Sequence, residues 1–471
     1  MKNKRFLFFA VALLTVFCSA FALDVQATTF TVTNLNDSGA GSLAQAVLDA
    51  NSAPGDDTIV FQEGFTGTIN IDEFNDPGID ITTSMTIIGP GARLLTISGI
   101  DKRRVFTVRG SGITVSISGL TVANGKADSF STGLSGGGIY NASGATLNLD
   151  SLIVRNNRTT GAGGGGISNR SGSTMNITNS TISNNTAAEP FYGGGISNTG
   201  VLNIANSTIS GNSATGSSGL DNLNGTVTLN NVTITNNTSS ATSGAAVNNS
   251  FTPGSASTML IRNTIIAKNN SPNKVDIYGG TSQGNNLIGA SPSFTNGVNG
   301  DKVGTATEPL DPLLEVLANN GGTTDTHALL SGSPAVNAGN NCVVTASCPS
   351  ANPPFALSTD QNGSNRVQGA IIDIGAFESA FAPTAASVTV SGRVLSSQGR
   401  GIRNVTITLT DSNGNDRTTQ STAFGNYRFD DVAAGETVTL SAKARQFKFN
   451  QSTIVRTANE SIADADFVSE R

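Results

Sequence analysis

Gly136-Gly137-Gly138-Ile139-Tyr140-Asn141, Gly164-Gly165-Gly166-Ile167-Ser168-Asn169 and Gly193-Gly194-Gly195-Ile196-Ser197-Asn198 are three near-copies of one hexapeptide. Looser copies follow at Ser218-Gly219-Leu220-Asp221-Asn222 and Gly244-Ala245-Ala246-Val247-Asn248-Asn249. A second signature interleaves with the first. Residues 177–185, 204–212 and 229–237 share it, and 117–125, 149–157 and 261–269 are weaker forms. Anchoring on Val122, Val154, Ile182, Ile209, Ile234 and Ile266 gives periods of 32, 28, 27, 25 and 32 residues. Repeats of this length mark a solenoid or a propeller. Apolar and polar residues alternate within each unit, as in strands and unlike the i, i+3, i+4, i+7 pattern of helical solenoids. The unit is too short for a four-stranded propeller blade, and it lacks the fixed leucine ladder of leucine-rich repeats. One coil of a right-handed parallel β-helix (a β-solenoid) per repeat is the remaining reading.

The chemistry of the pattern fits such a coil. Apolar residues at matching positions stack inward, so each coil buries its face against its neighbours. Glycine runs suit corners and close backbone approach. Two asparagine columns emerge: Asn141, Asn169, Asn198, Asn222, Asn249, and Asn157, Asn185, Asn212, Asn237, Asn269. Stacked amides can bond along a column and satisfy turn backbone. A structural ladder is the expected role of these residues, ahead of ligand binding. Pro190 is the only proline between residues 91 and 250, as central strands require.

The chain opens with Lys2, Lys4 and Arg5, then an apolar run from Phe6 to Phe17. This predicts a secretory leader over 1–27, with cleavage after Ala22 or Ala27. The run is short for a membrane span, and no second one follows. Past the leader, 24 basic residues face 32 acidic ones, which argues against nucleic acid or an anionic membrane as partner. Secretion or display at a bacterial cell surface is the expected location. Residues 28–112 form the entrance: Thr29–Thr33 alternates as a strand, and Ser42 opens a short helix. Leu43, Ala46, Val47 and Ala50 lie on one face of that helix, and Ser42 with Gln45 reads as a capping box. An amphipathic helix there would cover the open end of the solenoid.

Further motifs carry a resemblance. Thr29–Asn51 reads TFTVTNLNDSGAGSLAQAVLDAN. A later string runs through Gly284–Gly289, Leu310–Leu314, Leu317–Gly322, Thr326–Leu330, Gly332–Gly339, Thr359–Gln361 and Asp373–Glu378. Over about residues 28–380 the chain resembles secreted bacterial proteins of the choice-of-anchor Q class. That resemblance implies an exported right-handed β-helix, often surface-attached, with no established reaction. It divides the chain into repeats at 113–280 and a closing segment at 281–380. No LPxTG-like sorting motif or closing apolar helix is recognisable, so the mode of anchoring is not read from the sequence. Residues 381–387 read as a linker. Residues 388–471 contain alternating strands at Val388–Val394, Val405–Leu409, Tyr427–Phe429 and Val438–Ala442. With the SGRV start and the TAFGNYRF turn-strand, they resemble the carboxypeptidase regulatory-like, or transthyretin-like, module. This implies a small antiparallel β-sandwich with an accessory role, without peptidase activity.

Little in the sequence points to catalysis. The block 113–270 holds only Asp128, Asp150, Glu189 and Asp221, each at a different place in its coil. Glycosidases need two carboxylates at a set separation. His327 is the only histidine, which excludes paired-His zinc motifs; a hydrogen-bonding structural role is expected. Residues 411–416 superficially match a calcium loop but lack its glycine and closing glutamate, so a hairpin turn is expected. No cofactor or metal is predicted. Cys342 and Cys348 are the disulfide candidate in an oxidising compartment, with two free thiols as the alternative. Phe130, Tyr140, Phe191 and Tyr192 lie in or beside loops before the glycine corners and are the candidates for carbohydrate contact, with plain edge cover as the blander role. The expected function is a monomeric structural or interaction protein, adhesive or carbohydrate-binding, with glycans or surface polymers as partners. A polysaccharide lyase or glycoside hydrolase on the same scaffold is the alternative.

Overall fold

The computed structural model describes residues 26–72, 78–128, 135–188, 192–349, 353–380, 387–411, 414–433, 436–458 and 461–470. Nearly all of the expected leader, Glu189, Phe130, Phe191 and most of the expected linker lie outside the described residues. The fold is all-β, with a parallel β-solenoid of about eight turns followed by antiparallel sheets. The chain divides into two compact units. One holds residues 1–335, 339–366 and 374–377, and the other holds 336–338, 367–373 and 378–471.

In the first unit each coil contributes up to four strands. In one coil these are Ile167–Asn169, Thr174–Thr178, Thr181–Ser183 and Thr186–Ala187. Each pairs in parallel with its counterparts in the coils on either side. Val122, Val154, Ile182, Ile209, Ile234 and Ile266, the repeat anchors, are successive register partners in one row. Side chains alternate across a strand. Leu147 and Leu149, Met175 and Ile177, Leu202 and Ile204, and Val227 and Leu229 therefore point inward, and all are buried. Each contributes about 1.5–3 kcal/mol on burial. The core they build is continuous from Val32 to Phe294.

Two corners of the coil are turned by a single residue in the left-handed region. At the first corner these are Ser151, Asn179, Asn206, Asn231, Asn263 and Asn285, with φ between 45° and 57°. At the second they are Asn124, Asn156, Asn184, Gly211, Asn236 and Lys268. Asparagine tolerates this conformation better than most residues. The N–H of the residue that follows bonds no backbone carbonyl of the next coil. At the second corner the next coil supplies the acceptor. Asn157 N donates to Asn185 Oδ1 (2.9 Å), Asn185 N to Asn212 Oδ1 (2.9 Å), and Asn212 N to Asn237 Oδ1 (3.0 Å). The same oxygens also accept from the preceding Nδ2 at 2.9–3.0 Å. The second Nδ2 hydrogen returns to a carbonyl of an earlier coil, as from Asn212 to Ile182. The first corner does the same with Ser180, Ser207, Thr264 and Asn286. Each column ends on a carboxylate. Asp276 Oδ1 accepts from Asn269 N and Nδ2, and Asp301 Oδ1 accepts from Asn286 N and Nδ2. The column from Asn141 to Asn249 is likewise bonded amide to amide.

The third corner is the glycine run. Gly164 has φ of 79°, and a Cβ on Gly165 would collide with the carbonyl oxygens of Thr186 and Gly194. At the entrance, helix α1 (Leu43–Ser52) begins at Ser42, whose Oγ accepts from Gln45 N at 3.1 Å. The reciprocal half of the capping box is absent, because the Gln45 side chain bonds Asp49 instead. Leu43, Ala46, Val47 and Ala50 are buried in the core of the first coils.

The segment after the coils also covers their side. Rather than stacking on the last coil alone, it runs back along the wall formed by the short strands around Thr181, Thr208 and Thr233. Ala376 N takes Thr233 Oγ1 (3.0 Å), Asn206 Nδ2 donates to Thr359 O (2.8 Å), and Thr181 Oγ1 donates to Asp325 O (2.6 Å). Gln361 is the main fastener. Its Nε2 lies 3.0 Å from Thr181 Oγ1 and 2.9 Å from Thr324 Oγ1, and its Oε1 accepts from Thr208 Oγ1 at 2.7 Å. Arg93 pairs with Asp325 at 2.6 Å. This strap buries small hydroxyl residues that an open coil would expose.

The second unit packs two sheets over one core that includes Val390, Ile407, Phe429, Leu440 and Phe467. One sheet orders Asn426–Ala433, Ser387–Leu395 and Phe467–Val468; the other orders Asp416–Gln420, Thr406–Thr410, Thr437–Lys443 and Thr453–Thr457. Pairing is antiparallel except between Ser387–Leu395 and Phe467–Val468, which run parallel.

Two stability measurements follow from the ladders. Asn212→Ala leaves Asn185 N and one Nδ2 hydrogen of Asn185 without an acceptor and should cost about 3 kcal/mol in denaturant unfolding, while Asn203→Ala, on the outer face, should cost less than about 1. Burial pushes the Asp276 carboxyl up from 3.8 to about 6, against its three N–H donors. The folded chain then holds that proton more firmly than the unfolded chain, so this residue's contribution to stability falls as pH rises from about 4 to about 6. Unfolding curves across that window should lose this slope in Asp276→Ala, which should also be less stable at every pH.

Candidate functional site

The long strands of the solenoid carry a polar row on their outer face. Ser116, Asn148, Asn176 and Asn203 are register partners in successive coils. Asn148 Nδ2 donates to Ser116 Oγ (3.2 Å), Asn176 Nδ2 to Asn148 Oδ1 (2.8 Å) and Asn203 Nδ2 to Asn176 Oδ1 (2.9 Å). These side chains are half-buried. Asn148 and Asn176 each use one N–H and one lone pair along the row, which leaves one N–H and one lone pair of each for an outside partner. Neighbouring strands repeat this offer about every 4.8 Å.

The strap raises a wall beside the row. Pro353, Pro354 and Phe355 stand against Asn176, Asn203 and Asn230 around a cavity of about 120 Å³, and Phe355 is 47% exposed. The loop behind them is pinned at several points. Cys342 and Cys348 are joined in a disulfide. Leu357 N donates to Val343 O (2.8 Å), Asn340 N donates to Asn263 Oδ1 (2.8 Å), and Arg262 Nη1 donates to Cys342 Sγ (3.2 Å). A ring with an open face beside spaced amides is the arrangement that receives a hydroxyl-rich ring: C–H groups pack on the aromatic and hydroxyls bond the amides.

Of the aromatics singled out from the sequence, Tyr140 and Tyr192 are among the described residues. Phe130 and Phe191 lie outside the described residues. Tyr140 is paired with the buried Arg104, whose guanidinium carbon sits 4.8 Å from the ring centroid. Arg104 in turn donates to Gly136 O and Ser135 O. Tyr192, 51% exposed, lies against Gly216 of the next coil. Phe355 and the Asn148–Asn176–Asn203 row were the residues missed. The row has a sequence signal: Leu147-Asn148-Leu149, Met175-Asn176-Ile177 and Leu202-Asn203-Ile204 each place Asn between two inward residues. Phe355 has none, because its placement depends on the path of the strap.

Among the described residues, Asp128, Asp150 and Asp221 each have partners of their own. Asp128 pairs with Lys126 (3.1 Å). Asp150 accepts from Thr178 Oγ1, Asn179 Nδ2 and Ser151 Oγ. Asp221 accepts from Ser217 Oγ, and burial raises its carboxyl. Among the described residues, no group of three or more His, Cys, Asp and Glu side chains is placed to hold a metal ion. His327 is buried beneath the strap, with Nε2 2.9 Å from Ser210 Oγ and Nδ1 2.7 Å from Glu315 O. It sits far in sequence from its partner and binds strap to wall.

Residues 389–470 match the carboxypeptidase regulatory-like domain family. No curated protein matches the chain. Among solved structures, a C-terminal fragment of the pilus adhesin SpaC from Lactobacillus rhamnosus GG aligns over 18% of this chain at 16% identity, with a TM-score of 0.13. The chain spans 44% of that fragment's length, and a likeness at this level carries no argument about either fold or function.

Burial holds the His327 imidazole below its ordinary 6.5. The folded chain therefore binds this proton less readily than the unfolded chain, and stability contributed here is lost as pH falls below about 6.5. Comparing wild type with His327→Gln by thermal unfolding between pH 8 and pH 5 (about neutral to mildly acidic) should show a shallower acid-side decline in the variant.

Proposed function

We propose that this is an exported structural and interaction protein, secreted or held at a bacterial cell surface, whose solenoid wall contacts glycans. The half-exposed Phe355 ring beside the Asn148–Asn176–Asn203 amide row is the observation that carries this reading. The leader-like start, the choice-of-anchor Q resemblance and the accessory C-terminal module support the location. A wall of repeated amides suits weak contacts multiplied along a polymer, the physical basis of adhesion by avidity. No feature of the described residues favours a polysaccharide lyase or glycoside hydrolase over binding without turnover.

The test is a panel of neutral polysaccharides presented to purified residues 28–471, scored both for retention and for release of reducing or unsaturated ends. Retention without release is expected. Phe355→Ala and Asn176→Ala should each weaken it by about five- to tenfold with unchanged unfolding midpoints. Turnover that vanishes on substituting a single acid such as Asp150 would establish the enzymatic alternative, and neither retention nor release would leave a purely architectural role.

A further inference from the structure

The second unit holds a groove whose charge is unlike that of the rest of the chain. Antiparallel register sets Gln420, Thr406 and Lys443 side by side across three strands. The loop leading into Thr406–Thr410 brings Arg400 and Arg403 to that end of the sheet, and the loop leaving Thr437–Lys443 brings Arg445 and Phe447. Together they line a groove of about 990 Å³ in which Phe447 is 40% exposed. Arg400, Arg403, Lys443 and Arg445 are all exposed. Among the described residues, none of the four has a side-chain hydrogen bond or an ion pair. Other cations of the same unit are engaged. Arg428 pairs with Asp430, while Arg417 donates to the carbonyl of Asp431 and lies 5.9 Å from the Phe429 ring centroid. Residues 388–471 carry 10 basic and 9 acidic side chains, although the whole chain is at −6.

Four cations converging without counter-charges repel one another, and an anion in the groove relieves that repulsion. Guanidinium forks match carboxylate and sulfate oxygens two at a time. The groove is open, and its charges come from two loops, which suits an extended chain with repeated anionic groups. Gln420 and the Phe447 ring add hydroxyl and C–H contacts between those charges. A single-stranded nucleic acid is held by several aromatics on which successive bases stack, and only one ring lines this groove. We infer that this groove is a binding site for an acidic polysaccharide, separate from the solenoid wall and independent of the reading given to it.

The experiment measures retention of residues 28–471 on immobilised polygalacturonate and dextran sulfate, with uncharged dextran and poly(dT) as comparators. Two double variants, Arg400→Gln with Arg403→Gln and Lys443→Gln with Arg445→Gln, should each weaken binding by about tenfold, as should raising salt from about 50 to about 500 mM. Polygalacturonate and dextran sulfate distinguish a carboxylate-bearing from a sulfate-bearing source. Arg155→Gln with Arg170→Gln removes the same charge from exposed solenoid positions and should change binding less than about twofold. Unchanged unfolding midpoints exclude misfolding. The inference is overturned by equal retention on uncharged dextran, by tighter retention on poly(dT), by no retention on either acidic polymer, or by equal loss in the solenoid variant.

Discussion

The backbone N–H just past each left-handed corner residue is the group on which the first unit depends. The next coil offers it no backbone carbonyl, and inside a packed solenoid water cannot serve it. A buried unpaired donor costs roughly 1–3 kcal/mol, and the problem recurs in every coil. The answer is a side-chain oxygen reaching across from the next coil: Asn185 for Asn157, Asn212 for Asn185, Asn286 for Thr264. That requirement fixes which residue of one coil lies over which residue of the next. Strand register and the inward stacking of Val154, Ile182 and Ile209 follow from it.

Much of this was legible in the sequence. The repeat anchors proved to be register partners, both asparagine columns are real ladders, and the helix begins at Ser42. These features are local or periodic, and periodicity survives without knowledge of the fold. The hydroxyl column of Ser180, Ser207 and Thr264 escaped because serine and threonine are common throughout the chain and mark no period. The strap escaped for a different reason. Gln361 bonds Thr181 across 180 positions of sequence, and no local pattern encodes such a contact. Phe355 became visible as a candidate only once the strap's path was known. In the second unit the strands Asp416–Gln420 and Thr453–Thr457 were missed because they are largely exposed and lack strong alternation.

The two units handle positive charge in opposite ways. In the solenoid unit, Arg104, Arg262 and Arg366 are fully or nearly fully buried and bond carbonyl, amide and sulfur acceptors. The fixed fork of a guanidinium lets one side chain bond several loop atoms at once, as Arg104 does with Gly136 O and Ser135 O. In the second unit the groove cations are solvated and unpaired. Charge is thus spent on architecture in one unit and left available in the other.

The asparagine ladders have a direction. Inside the coils each amide-to-amide bond runs from Nδ2 toward the C-terminal end, and Asn141, the first of its column, keeps an Oδ1 with no donor. The last members, Asn269 and Asn286, meet Asp276 and Asp301, which can only accept when ionised. Every interior coil presents the same donor on one side and the same acceptor on the other. A coil inserted or deleted in the middle would find matching partners above and below, whereas one added beyond Asp276 would meet a terminus that has nothing to donate. The solenoid is therefore free to change length by internal duplication, and its two ends are the positions that resist such change.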